Sequence, residues 1–180
     1  MSETGNIEAL AKLVSQDIFK WFKWDTCGLK DTDWRCVTTS HKKRTHPADV
    51  VFYYDDPYSG KVIYLNTDLK SYKKGSITAT SISKALSSLS ISVECANVSE
   101  DWQDKYLVND IGFDSVIGML FIYNHDDEFD KDLPVLAILL TATNKRFLIC
   151  SNQLLTTLPR LCMAGNDKGN FSTHLIVVVE

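Results

Sequence analysis

The chain has no run of the ~18 uninterrupted apolar residues needed to cross a bilayer. Its start, Met1-Ser2-Glu3-Thr4-Gly5, lacks the basic and apolar regions of a secretory leader. Both absences predict a cytoplasmic protein with no membrane partner. Its five cysteines, at positions 27, 36, 95, 150 and 162, are odd in number and scattered, which argues against a disulfide framework and fits a reducing compartment. An excess of positive charge is missing too: a net charge of −4 over 180 residues excludes a polycation that coats nucleic acid. Neither Gly60-Lys61 nor Gly75-Ser76 has the preceding glycine of a phosphate loop, and no Gly-x-Ser-x-Gly or cysteine-nucleophile signature accompanies the histidines. The acidic segment Asp126-Asp127-Glu128, with Asp130 and Asp132, lacks calcium-loop spacing and reads as a solvated connection. Zinc-ligand types occur at Cys27, Cys36, His41 and His46. However, eight residues separate the two cysteines, where two to four is usual, and no second knuckle follows, so the spacing argues against zinc.

What is present is enough apolar material, 44%, for one sizeable core, so residues 1–180 are expected to form one domain. Because the chain ends on a strand-like run, that domain is also readable as the leading part of a longer protein. Ile7, Leu10, Val14, Ile18 and Trp21 recur at helical spacing and predict an amphipathic helix over 7–23. Trp21, Phe22, Trp24 and Trp34, with no basic stripe beside them, read as core rather than base-stacking groups. A second helix follows Thr78, with Ile82, Leu86, Leu89, Val93 and Ala96 as its apolar stripe and a serine-rich flank. A short helix is expected within 99–108. Strands are expected over 115–123, 135–141, 146–150 and 174–179, and a short helix over 153–161. Gly118, inside a strand, marks a bulge or close packing. The order of elements predicts an α/β fold, a mixed β-sheet flanked by helices.

The chemistry concentrates between these helices. Asp49 opens the run Val50-Val51-Phe52-Tyr53-Tyr54, and Asp68-Leu69-Lys70 closes the run Val62-Ile63-Tyr64-Leu65. Asp55 to Gly60, containing Pro57, reads as the reversal between two antiparallel strands. With Tyr54 facing Lys61, Asp49 falls opposite Asn66, and Asp49, Asp68 and Lys70 share one face of the hairpin. Diagonal neighbours on such a face lie ~7–8 Å apart, close enough for two carboxylates to share a divalent cation. Lys42-Lys43-Arg44 precedes the first strand and Lys73-Lys74 follows the second, so both basic clusters are expected beside the acids, where they could neutralise phosphates.

An acid on one hairpin strand and acid-x-lysine on the next, after one helix and before another, resembles the PD-(D/E)xK nuclease superfamily over about residues 5–125. Asp68-Leu69-Lys70 is the chain's sole acid-x-lysine triplet. Two departures stand out: Ala48 is inserted between Pro47 and Asp49, and the triplet begins with Asp rather than Glu. The resemblance implies a restriction-endonuclease-like core (helix, β-hairpin, helix, strand) with extra C-terminal strands. It further implies hydrolysis of nucleic acid, DNA before RNA, in anti-phage defence or repair, with Mg²⁺ or Mn²⁺ held by Asp49, Asp68 and the Leu69 carbonyl. Lys70 would then orient or deprotonate water, its pKa lowered by burial and the metal. Glu8 either matches an acid that many members carry on the first helix or is a surface partner of Lys12. The alternatives are an inactive nuclease fold used to bind nucleic acid or protein, and a structural domain with incidental hairpin charges. A protein partner or a homodimer is compatible with each.

Overall fold

The computed structural model describes residues 23–108, 113–124, 147–151 and 174–179. The anticipated helix over 7–23 apart from Lys23, the helix over 153–161, the strand over 135–141, Glu8 and the acidic segment around Asp126 lie outside these residues.

Six strands form one sheet in the order β1-β2-β3-β4-β6-β5: β1 (Asp25–Arg35), β2 (Thr45–Asp55), β3 (Val62–Tyr72), β4 (Phe113–Asn124), β5 (Phe147–Ser151) and β6 (His174–Val179). Two helices, α1 (Ala79–Ala96) and α2 (Glu100–Tyr106), connect β3 to β4. That pair is parallel, while the other four neighbouring pairs are antiparallel. The arrangement is the expected mixed sheet with helices, since a parallel return needs a long crossover.

The hairpin register differs from the expected one by two residues. Asp55 pairs with Val62 and Tyr54 with Ile63, down to Val50 with Thr67. Asp55 is therefore in the strand, and the six-residue reversal moves by one to Asp56–Lys61. Asp56 accepts from the amides of Tyr58 and Ser59, and its own amide donates to the Lys61 carbonyl at 2.9 Å. Because side chains alternate with period two, a shift of two leaves every residue on its expected face. The sequence pattern also gave no sign of β1. Trp34 lies in that strand and is buried in the core as anticipated.

Alternation divides the core. Val50, Phe52, Leu65, Leu69, Met119 and Phe121 are buried on one face of the sheet. The other face carries the helices: Leu120 and Ile122 meet the α1 stripe of Ile82, Leu86, Leu89 and Val93, while Val51, Tyr64 and Val116 meet Trp102 and Tyr106 of α2. α1 starts at Thr78, whose side chain accepts from the Ser81 amide in a capping box, a local reason for the helix to begin there. At its other end the Asn97 side chain donates to the Val116 carbonyl (3.0 Å) and accepts from the Val116 amide (2.9 Å), fastening the helix to β4.

Gly118 lets α1 approach β4. A Cβ there would lie 2.8 Å from Val93 Cγ2 and 3.0 Å from Leu89 Cγ. We expect Gly118→Ala to destabilise the protein by about 1–3 kcal/mol through overpacking. Adding Val93→Ala should recover part of the loss. Denaturant midpoints of the two single variants and the double variant test this coupling.

Candidate active site at the end of the hairpin

β2 and β3 cease to pair beyond Val50–Thr67. One step further, the Asp49 carboxylate accepts the Leu69 amide N–H at 2.6 Å, so a side chain takes a donor that a continuing ladder would use. This bond binds Asp49 to the middle of the acid-x-lysine triplet. Its neighbour Asp68 forms an ion pair with Lys70 at 2.6 Å, both half-buried. Asp49, Asn66, Asp68 and Lys70 thus share the helix-bearing side of the sheet, while Leu69 points its side chain into the opposite core.

A cavity of about 450 Å³ separates this cluster from α1. Its sheet wall includes Asp49, Asp68 and Lys70, and its helix wall includes Lys84, Ser88 and Ser92. Those helix residues were not singled out from the sequence, where the serines read only as a poor-helix flank. Their signal was present: positions 81, 84, 88 and 92 form a polar stripe at helical spacing beside the apolar one. Ser92 accepts from Asn66 at 3.1 Å and Ser88 accepts from the Lys43 ammonium at 3.0 Å, so the stripe ties the helix to the sheet and to the basic segment.

The electrostatics are unbalanced around Asp49. Burial pushes its carboxyl up to about 6; the Leu69 N–H opposes that shift, Asp68 adds to it, Lys70 opposes it, and more distant Asp31 adds to it. Without a metal, Lys70 does not follow burial. Burial pulls its ammonium down, but the charge and hydrogen bond of Asp68, helped by Asp49, outweigh burial and hold it above its ordinary value. In the metal-free protein Lys70 is therefore held as a cation by Asp68.

The basic residues fall where the hairpin direction requires. Lys42, Lys43 and Arg44 are exposed between β1 and β2, and Lys73 and Lys74 are exposed just after β3. Since β2 and β3 are antiparallel, the start of one and the end of the other share one end of the sheet. The five flank the cavity without lining it, whereas Lys84 lies in its wall.

The carboxylate pair suits a hard divalent cation, which prefers oxygen ligands. Two half-buried, mutually repelling acids, one of them pushed up by desolvation, are a donor set that a cation would relieve. Among the described residues, no helix is long and apolar enough to cross a membrane.

A family model described as the GAPS4 protein PD-(D/E)XK nuclease domain matches residues 1–144. No curated protein gives a significant match, and neither does any solved structure. The matched span is 144 of 180 residues and contains the hairpin, both described helices and β4, so this chain belongs to the GAPS4 family of PD-(D/E)XK nuclease domains.

Proposed function

We propose that this domain is a metal-dependent nuclease that hydrolyses phosphodiester bonds of DNA, with Asp49 and Asp68 as metal ligands and Lys70 as the catalytic cation. The observation that carries the reading is the convergence of these three side chains on one sheet face, at the wall of a cavity beside two basic segments. DNA rather than RNA as substrate, and a place in defence against foreign DNA or in repair, rest on the family's character. Either role leaves room for a protein partner or a second copy.

Asp49, Asp68 and the Leu69 carbonyl would hold Mg²⁺ or Mn²⁺, which when bound supplies Lewis-acid neutralisation of the phosphate and acidifies water. The chain's own contribution is positional. The Leu69 N–H fixes one Asp49 oxygen, leaving the other for a ligand. Lys70, kept protonated by Asp68, would orient the attacking water and offset charge that builds on the phosphate oxygens. Lys84 and the serines of α1 would face the substrate from the opposite wall. Lys42, Lys43, Arg44, Lys73 and Lys74 would neutralise backbone phosphates on either side. Glu8 stands as a further candidate acid.

Asp68→Ala and Lys70→Ala should each reduce cleavage of linear or circular DNA in manganese by at least about 100-fold while leaving the far-ultraviolet circular dichroism unchanged. The double variant should be hardly worse than either single one, because the residues act as one unit. Equal cleavage by the wild type and all three variants would remove the assignment. A folded wild type that binds DNA without cleaving it would favour an inactive binding module.

Replacing Lys42, Lys43, Arg44, Lys73 and Lys74 with alanine should weaken DNA binding similarly across sequences. It should also flatten the dependence of log K on log salt by roughly 0.9 for each phosphate that is no longer neutralised. An unchanged slope would show that the strand runs elsewhere.

Asp49 sets a pH dependence. Its folded pKa of about 6 lies above its ordinary 3.8, so without metal it favours the folded state at low pH. That contribution is lost as pH rises from about 4 through about 6. Asp49→Asn keeps an oxygen for the Leu69 N–H and removes the charge, so it should stabilise the metal-free protein near neutral pH by about 1–3 kcal/mol. In the wild type, manganese at ~100 times its dissociation constant should add about 2.7 kcal/mol, with an affinity that falls below about pH 6. The Asn variant should lose most of that gain. Melting curves with chelator and with manganese at two pH values decide it, and an identical metal response in both proteins would exclude Asp49 as a ligand.

A further inference from the structure

We propose that Cys36, His41, His46 and Cys95 form a structural zinc site, separate from the carboxylate cluster, that clamps the β1–β2 connection to the end of α1. One ligand atom from each residue lies within 4.8 Å of the other three. The two Sγ atoms are 3.7 Å apart, and Cys36 Sγ is 3.6 Å from His41 Nδ1. In a tetrahedral site with zinc–sulfur bonds near 2.3 Å and zinc–nitrogen bonds near 2.0–2.1 Å, ligand atoms lie roughly 3.3–3.8 Å apart. These two pairs already match that spacing, and the rest, all within 4.8 Å, close with contractions of about 1.5 Å or less.

The surroundings of the cluster point to a ligand. His46 is fully buried and neither of its ring nitrogens has a hydrogen-bond partner, a costly arrangement that a metal bond would relieve. His41 turns its other nitrogen, Nε2, towards the Glu94 carboxylate at 3.6 Å, which favours a proton there and leaves Nδ1 with its lone pair for a metal. The Val37 amide donates to Cys95 Sγ at 3.2 Å, a bond that stabilises a thiolate. Binding would release the two thiol protons to solvent. Two thiolates and two neutral imidazoles then cancel the charge of Zn²⁺, so the finished site is neutral and tolerates burial. A Cys₂His₂ donor set selects zinc over magnesium or manganese, which prefer oxygen.

Spacing alone excluded this site because it counted Cys27. That thiol lies elsewhere and donates to the Tyr106 carbonyl at 3.2 Å. The fourth ligand comes instead from the last turn of α1, 59 residues after Cys36. The position gives the clamp a purpose. Lys42, Lys43 and Arg44 lie between the two histidines, and His46 begins the stretch of β2 that carries Asp49 three residues later. One ion would hold the basic segment and the start of the acid-bearing strand against the helix that walls the cavity.

The test is metal analysis of the full chain, purified under reducing conditions without chelator or added metal. We expect about one zinc per chain, released on thiol modification, and retained in Asp49→Asn and Asp68→Asn. The Asp49 and Asp68 variants separate this site from the proposed catalytic one. Exchange of cobalt for zinc in the wild type should give the visible bands of tetrahedral coordination and a sulfur-to-cobalt charge-transfer band. Cys95→Ser and His46→Ala should lower the zinc content at least tenfold. The wild-type measurements keep the test decisive should those variants fail to fold. Less than a tenth of an equivalent of zinc with no cobalt bands in the wild type, or a Cys36–Cys95 disulfide in the intact mass, would overturn the proposal. Full zinc content in a folded Cys95→Ser would overturn it as well.

Discussion

The bond from the Leu69 amide to the Asp49 carboxylate is the constraint on which the site depends. It exists because β2 and β3 stop pairing at Val50 and Thr67, leaving the next amide to be satisfied by a side chain. A buried amide left without a partner would cost ~1–3 kcal/mol, so the carboxylate is held in place by a backbone requirement rather than by its function. Being held there is what buries it beside Asp68. Desolvation then exceeds what one N–H can offset, and the carboxyl rises to about 6. The fold thus produces a strained pair of acids, with Lys70 committed to one of them.

A pair of acids becomes a site only when a second wall encloses it. Gly118 supplies the close approach that seats α1 on β4, and Asn97 locks the far end of the helix to Val116. With the apolar stripe fixed on the sheet, the helical period delivers Lys84, Ser88 and Ser92 to the cavity. Asn66 links the layers, donating to Ser92 and accepting from the Trp102 indole at 3.5 Å, which keeps sheet, α1 and α2 in one relation.

The parts legible in the sequence were those with a strong period. The α1 stripe, its start at Thr78 and the shared face of Asp49, Asp68 and Lys70 follow from spacing, and the face withstood a two-residue error in register because parity has period two. β1 escaped notice because it is an edge strand of the described sheet: only Cys27 and Trp34 of its eleven residues are buried, and most of the exposed positions carry charges, as edges often do. The expected fall in the Lys70 pKa counted burial and a bound metal; in the metal-free protein the partner two residues away outweighs burial. The Cys₂His₂ cluster was illegible for a different reason. A ligand set split among the β1–β2 connection, the start of β2 and a helix has no sequence spacing to read; only the packing of α1 against the β1–β2 connection brings Cys95 to Cys36.

Net charge reconciles an acidic chain with a polyanionic substrate. Taken alone near neutral pH, Asp49, Asp68 and Lys70 sum to −1, so the cluster repels phosphate even though basic segments flank it. On the proposed reading a divalent ion changes that sum to +1, and the cavity then matches its surroundings in sign. Field focusing in a cleft depends on the charges that line it more than on those of the whole surface. Cation binding would therefore come before productive binding of DNA, and the weak overall negative charge of the chain would be no obstacle once the acids are covered. Below about pH 6 a proton on Asp49 brings the cluster to zero without supplying the second positive charge. Protonation can therefore remove the repulsion without creating the attraction, which is why a proton would not substitute for the metal in holding substrate.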